Sequence, residues 1–433
     1  MNLFPNFHSF NISSISYLPS FNIFILVFSL IILFFAYIRI RFPFWALQPV
    51  FHIYDIGYLI FPPGIIRQEL PDKNKFTNFK NIETFTYTDL LPYKKTKFNH
   101  FIRNHYLNDH NQSKHQRKGQ EDNIFSPKSE NILPYFQHHF DKCFLSFYHI
   151  QELVTEIKTG SIEEHSKMIG VMTSRPIHIS IYKDDMLNRM DAYYVDYLCV
   201  HKKHRKQNIA PQMIQTHEYN QRHRNKKIVV SLFKREGVLT GIVPLCVYKT
   251  YGFSVKKWTK PHDLPAFYTL LEINPQNFSH LHDFIKEQMN PNSNTFDIMI
   301  LPEISNIMEL LKTNNIFIYV VLSSTKEIIA AYFYKKSCVF IEKDLEILTC
   351  IGSISKFNSL KEEIFIHGFK TSFWKIAEKH RFGFAAIENI SHNYIIIHNL
   401  MKKTKPTVIS PTAYFFYNFA YPTFPSNKTF ILL

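Results

Sequence analysis

Tyr194 to Pro211 reads YVDYLCVHKKHRKQNIAP. The first part, within Ala192 to Val200, is β-branched and aromatic, which predicts a central strand. His201 to Asn208 is a basic loop. Ala210-Pro211 then opens a helix, because proline is tolerated at the first helical positions. Met213, Ile214 and His217 share one face of it. Free N–H groups and the macrodipole at a helix start favour phosphate. Lys202, Lys203, Arg205 and Lys206 add positive charge beside it.

Working outward, the chain has 433 residues, enough for two or three domains. Apolar residues make up 45% and charged residues 20%, so most of the chain can bury a core. The net charge of +15 points to an anionic partner, whether nucleic acid, a membrane surface or a phosphorylated cofactor. Five cysteines stand far apart with no C-x-x-C, which disfavours structural zinc and a disulfide framework and suits a reducing compartment. Cys199 lies mid-strand without an adjacent base and reads as a buried structural thiol. His138, His139 and Cys143 do not make a convincing metal set, and no metal is expected.

Phe21 to Ile38 is an uncharged run, FNIFILVFSLIILFFAYI. At 1.5 Å per residue it reaches ~27 Å, enough to cross the hydrocarbon core. Arg39 and Arg41 follow at once, whereas residues 1–20 hold no Lys or Arg. The charge asymmetry predicts a single-pass membrane protein with an outer N-terminus and a cytosolic body.

The remaining pattern predicts an α+β protein. Met168 to Tyr182 reads as a strand, a turn and a second strand, and Ile228 to Phe233 as another strand. Asn108 to Asn131 reads as a loop, and Arg222 to Lys227 as a solvated helix end or a surface for nucleic acid or lipid headgroups. Leu264 to Met289 and Ile304 to Leu311 look helical; Ile316 to Leu322 and Ile328 to Phe333 look like a hairpin. Phe369 to Lys379 reads as a helix ending at Gly383, Ala413 to Tyr417 as a strand, and Phe430 to Leu433 as a terminal strand. The order of elements repeats from about Pro261, suggesting a duplicated unit.

The pattern Arg205-x-x-Asn208-x-Ala210 resembles the pyrophosphate loop of GCN5-related (GNAT) acyltransferases, with Asn208 in place of a glycine; asparagine is the next best residue for the left-handed turn this implies. The whole run Tyr194 to Pro211 resembles the signature of the glycylpeptide N-myristoyltransferases. Further blocks occur in that family's order: Phe44 to Val50, Phe125 to Phe140, Ile169-Gly170, Ile177 to Tyr182, Ala413 to Asn418 and Lys428 to Leu433. The resemblance implies two GNAT-like halves with a mixed, mostly antiparallel sheet flanked by helices. Its boundaries would be an anchor over 1–41, an acyl-CoA-binding half over 42–260 and a peptide-binding half over 261–433.

It also implies a monomer that takes myristoyl-CoA as co-substrate and acylates the N-terminal glycine of protein substrates, with no role for nucleic acid. The main-chain amides of Tyr197 and Leu198 would form the oxyanion hole, and the carboxylate of Leu433 would be the base. Pro43, Phe44, Trp45, Cys199, Val200, Arg205, Lys206, Asn208, Ile209 and Ala210 would contact CoA. The stretch Ser231 to Gly237 departs from the family's small-residue groove by carrying Lys234, Arg235 and Glu236. That departure keeps open an N-acyltransferase with another acyl-CoA or amine, and a non-catalytic acyl-CoA-binding scaffold.

Overall fold

The computed structural model describes residues 20–107, 124–155, 162–183, 186–237, 241–256, 258–289, 295–342, 345–356 and 360–433. Contacts divide the chain into two compact units, Met1–Gln48 and Pro49–Leu433. In the first, the uncharged run forms α1 (Ser20–Arg41), whose large side chains from Phe24 to Phe35 face outward. A window of 18 residues, Phe24–Arg41, has mean hydropathy 2.2 and is long and apolar enough to cross a membrane. A short 3-10 turn, Trp45–Leu47, follows.

The second unit begins with α2 (Ile56–Ile60), β1 (Gly64–Ile65), β2 (Ile82–Thr86), α3 (Pro92–His105) and β3 (Ile124–Phe125). Then come β4 (Phe144–Thr155), β5 (Ile162–Lys183), β6 (Met186–Val200), α4 (Ile209–Arg224), β7 (Val230–Glu236) and β8 (Cys246–Ser254). The chain continues through β9 (Thr269–Ile273), α5 (Phe278–Glu287), β10 (Ile298–Leu301), α6 (Ile304–Lys312), β11 (Ile316–Leu322), β12 (Ile328–Glu342) and β13 (Leu345–Ser355). It closes with α7 (Glu362–His380), β14 (Phe382–Glu388), α8 (Asn393–Met401), β15 (Val408–Tyr417), β16 (Phe419–Ala420) and β17 (Thr429–Ile431).

One large sheet carries the order β17-β10-β5-β6-β7-β15-β8-β14-β13-β12-β11-β9. Its centre is a palindrome. From one side it runs β5, β6, β7, β15, and from the other β12, β13, β14, β8. In each arm the second and third strands are parallel and a helix crosses between them, α4 from β6 to β7 and α7 from β13 to β14. Apart from these two pairs and β10 with β17, the pairings among described strands are antiparallel. This is the mixed, mostly antiparallel α+β sheet expected.

Several local expectations are corrected. Met168–Tyr182 contains no turn; β5 runs straight through Pro176, which pairs in register with Tyr193. Proline's fixed φ suits extended backbone. Pro176 also falls at the gap where β4 ends opposite Ser174 and β10 begins opposite His178. Leu264–Met289 is not one helix but β9 followed by α5, separated at Asn274-Pro275, since a residue before proline is pushed out of the helical region. α7 stops at Arg381, which takes a left-handed φ of 59°, while Gly383 already lies in β14. A Cβ on Gly383 would meet Leu345 Cδ2 at 2.8 Å, so the glycine serves a close approach rather than a cap. The C-terminal part of the predicted loop is structured: β3 pairs with β12, and Ser129–Asn131 forms a 3-10 turn. Its basic stretch Lys114–Lys118 lies outside the described residues. The Arg222–Lys227 segment is not simply solvated. Arg222 is buried and donates to the carbonyls of Gln68 and Glu69, and Arg224 donates to that of Thr84.

Candidate functional site

β6 owes its special geometry to a bulge. Val195 pairs with Ser174 and Leu198 with Met172, so Asp196 and Tyr197 together face Thr173. The Tyr197 amide donates to Thr173 Oγ1 at 3.1 Å. On its other side β6 pairs with β7 only from Ala192↔Val230 to Val195↔Phe233. β7 then continues against β15, with Lys234 opposite Tyr414. The two parallel strands therefore part, and Asp196–Val200 runs on beyond the pairing with β7, directly before the basic loop.

The loop turns as its sequence predicts. Lys202–His204 forms one 3-10 turn, in which the Lys203 amide donates to His201 Nδ1. Lys206 has φ of 64° and Asn208 has φ of 57° and ψ of 20°, both left-handed. These two turns reverse the chain and start α4 at Ile209 without a side-chain cap on its first amides. Arg205 is less available than its neighbours: Nε donates to the Val200 carbonyl at 3.1 Å. It braces the loop against the strand end. Lys206 is exposed, and Ile209 and Ala210 form the first turn of the helix.

α4 is held to the sheet by apolar and polar contacts. Met213 lies over Gly170, where a Cβ would meet its sulfur at 2.6 Å. His217 is buried between Ser146 Oγ and Ser174 Oγ, each 2.8 Å away, and burial pushes its pKa down to about 3. Gln221 accepts from Ser174 Oγ at 2.6 Å. Ile214 packs at the edge of the same face.

Beside the bulge lies a buried group of charges that sequence reasoning missed. Arg175 Nε donates to both Asp196 oxygens, at 2.9 and 3.2 Å. Burial raises the Asp196 pKa and Arg175 opposes that rise. Lys234 Nζ lies 2.8 Å from Glu388 Oε1, and Tyr248 Oη donates to Glu388 Oε2. Burial lowers the Lys234 pKa, but Glu388 and Glu236 outweigh it and leave it above the ordinary lysine value. Lys335 Nζ donates to the Leu433 main-chain oxygen at 3.0 Å. Its pKa is pushed down to about 8, first by burial and then by Arg175, against the pull of Asp196. The available signals were Arg175 inside an otherwise apolar strand and the Lys335-Lys336 pair inside the run from Ile328.

The structure thus brings Tyr197, Leu198, Cys199, Val200, Arg205, Lys206, Asn208, Ile209 and Ala210 into one strand–loop–helix unit. Leu433 connects to it through Lys335 and Arg175, which both lie against the Tyr135 ring, and through Asp196. Phe430 to Leu433 is buried; β17 ends at Ile431. Cys199 is buried, as expected of a structural thiol. Pro43, Phe44 and Trp45 belong to the N-terminal unit, where the Phe44 and Trp45 rings meet edge-on at 5.1 Å. Among the described residues no group of three or more His, Cys, Asp or Glu could hold a metal.

A parallel strand pair that parts in front of a phosphate-suited helix start, within a sheet of two matching arms, defines a duplicated GNAT-like N-acyltransferase fold. Residues 130–246 match the N-terminal domain of myristoyl-CoA:protein N-myristoyltransferase. Over that segment the chain is similar to the N-myristoyltransferases, and over most of its length it shares their fold. A crystal structure of Saccharomyces cerevisiae N-myristoyltransferase with bound myristoyl-CoA superposes with a TM-score of 0.64 at 14% identity, covering 89% of this chain and 94% of that one. A second structure of the yeast enzyme with myristoyl-CoA gives 0.63 at 14% identity, covering 89% and 90%. A third, with myristoyl-CoA and inhibitors, gives 0.62 at 14% identity, covering 90% and 94%. Comparison with curated proteins gives no match.

Proposed function

We propose that this chain is an N-myristoyltransferase-type enzyme that moves a myristoyl group from myristoyl-CoA to the N-terminal glycine amine of protein substrates. The observation that carries the reading is the parting of β6 and β7 ahead of the two left-handed residues that open α4. The helix start and Lys206 suit the CoA pyrophosphate, with Arg205 fixing the loop and Asn208, Ile209 and Ala210 presenting main chain. Cys199 and Val200, at the end of β6 beyond its pairing with β7, are assigned to the extended pantetheine arm. Pro43, Phe44 and Trp45 are assigned to CoA on the sequence resemblance.

In the reaction the acceptor nitrogen attacks the thioester carbonyl. The C–N bond forms, the C–S bond breaks and CoA leaves as its thiol. Negative charge gathers on the carbonyl oxygen, and preorganised amides are the means of stabilising it. Tyr197 and Leu198 are assigned this role. The Tyr197 amide must exchange its bond to Thr173 Oγ1 for the oxyanion. The attacking amine must be neutral, and its proton is assigned to the Leu433 carboxylate. An extension after Leu433 displaces that carboxylate while keeping every side chain, and should lower turnover at least ~100-fold with acyl-CoA binding nearly intact.

α1 is assigned as a single membrane span with the body on the cytosolic side, because Arg39 and Arg41 flank its C-terminal end. Removing residues 1–38 should release the protein from membranes and retain turnover; an unfolded product would refute the anchor. The deciding experiment is mass spectrometry of a glycine-initiated peptide incubated with myristoyl-CoA and the full chain. A gain of one myristoyl group on the N-terminal amine is expected. Acyl-CoA binding with no transfer to any amine would overturn the enzymatic reading.

A further inference from the structure

Among the buried polar atoms with no hydrogen-bonding partner in the described residues, three belong to one place: both terminal nitrogens of Arg175 and Tyr135 Oη. The Arg175 side chain is 0% exposed; its Nε donates to Asp196, and its guanidinium carbon lies 5.3 Å from the centre of the Tyr194 ring. Its guanidinium carbon lies 5.5 Å from the centre of the Tyr135 ring, and Lys335 Nζ lies 4.7 Å from the same centre. A guanidinium has five N–H donors and no acceptor, so four donors remain free here. A buried donor without a partner is disfavoured, and a group of them calls for an acceptor.

The chemistry of that acceptor is narrow. The two terminal nitrogens of a guanidinium present a planar fork that matches the two oxygens of a carboxylate. A phenolic hydroxyl and an ammonium beside it strengthen the same preference. The location is equally specific. Asp196, which fixes Arg175, is the residue before Tyr197 in the bulge, next to the point where β6 leaves β7.

We propose that Arg175 and Tyr135, with Lys335 beside them, form a subsite for a carboxylate carried by the acyl acceptor. This rests on the acyl-transfer reading above and deepens it by naming the acceptor as an amine that also bears a carboxylate. Two sources supply that group: the α-carboxylate of a free amino acid such as glycine, or an acidic side chain close behind the N-terminal glycine of a peptide.

The test begins with probes that need no chemistry. The full chain in detergent is titrated calorimetrically with N-acetylglycine and with N-acetylglycinamide. The carboxylate probe should bind at least ~10-fold tighter, the scale of a charge-assisted pair. The variant carrying Arg175→Gln together with Asp196→Asn removes both charges, so no lone ion is buried. It should remain folded by circular dichroism and lose the preference, while Arg175→Lys should keep part of it. Equal binding of the two probes, or a preference unchanged in the double variant, means that water satisfies Arg175 and overturns the proposal.

The source is then read from turnover with myristoyl-CoA. A preference of ~10-fold in kcat/KM for glycine over glycinamide identifies free amino acids. The same preference for a Gly-Asp over a Gly-Asn peptide amide identifies acidic peptides. No preference in either pair overturns the acceptor assignment. Failure of the acyl-transfer reading would appear separately, as absence of myristoyl-CoA binding with the probe preference retained.

Discussion

Lys234→Met isolates one buried charge and gives a test whose size follows from the geometry. Lys234 Nζ stands 2.8 Å from Glu388 Oε1, and the side chains are 23% and 7% exposed. At an effective dielectric near 20 the gross attraction is about 6 kcal/mol. Desolvation of both groups offsets much of it, so the intact pair contributes little net stability. Removing only the lysine is different. Glu388 stays buried with the Tyr248 hydroxyl as its remaining partner in the pair, and an uncompensated buried charge costs about 3–5 kcal/mol. Glu388→Gln leaves the milder fault, because Lys234 keeps partial access to water and a second carboxylate, Glu236, at 3.9 Å. The variant with both changes buries no charge and should recover to within ~1 kcal/mol of the parent. The assay is urea unfolding of the full chain in detergent, read by far-ultraviolet circular dichroism, over the four members of the cycle. A coupling energy of at least ~2 kcal/mol is expected. Additivity within ~0.5 kcal/mol would refute the argument, because it would mean that water already screens the pair.

Asn208→Gly should keep the loop and its affinity for myristoyl-CoA, since glycine accepts a φ of 57° without strain. Asn208→Val should weaken binding about tenfold, from ~1–2 kcal/mol of left-handed strain, as read by titration with myristoyl-CoA. Lys335 loses its proton near pH 8 when folded, whereas an unfolded lysine holds it to ~10.4. Between those values the unfolded chain binds more protons, so this residue makes stability rise with pH, by at most ~1.4 kcal/mol per unit. Lys335→Met should remove that slope from urea midpoints measured between pH 8 and 10. His217 stays neutral down to about pH 3 in the folded protein, whereas an unfolded histidine protonates near ~6.5. Stability should therefore fall as pH drops below ~6.5, again by at most ~1.4 kcal/mol per unit, and His217→Gln should flatten the acid limb of the unfolding curve.

The parts of the fold most legible in the sequence were those where one local signal acts alone. The strand ending at Val200, the left-handed Asn208 and the start of α4 follow from side-chain type and spacing. So does the apolar helix ending at Arg41. The hairpin of β11 and β12 was visible because both strands are apolar and a short polar segment separates them. Legibility failed where long-range packing overrides local preference. Ser174-Arg175-Pro176 has turn composition, yet Asp196 and Tyr194 enclose Arg175 and draw it into a strand. The charge group beside the bulge was illegible for the same reason. Arg175, Asp196, Lys234, Lys335 and Glu388 come from five separate strands, and no spacing along the chain reports that they meet. Arg222 and Arg224 looked like surface residues because their acceptors are main-chain carbonyls, which carry no sequence signal.

The position of β15 has a consequence for how the molecule is made. Residues 408–417 lie between β7 and β8, which leave the ribosome far earlier. Until Tyr417 emerges, β7 lacks its partner from Ser231 to Glu236, and β8 lacks its partner along nearly its whole length. Two open strand edges in a growing chain are templates for pairing with other chains. Closing them requires a contact across a very long loop, which is slow to form. Synthesis therefore does not proceed by adding finished pieces to a finished N-terminal half. The middle of the sheet is completed only near the end of synthesis, and the nascent chain needs its exposed edges guarded until then.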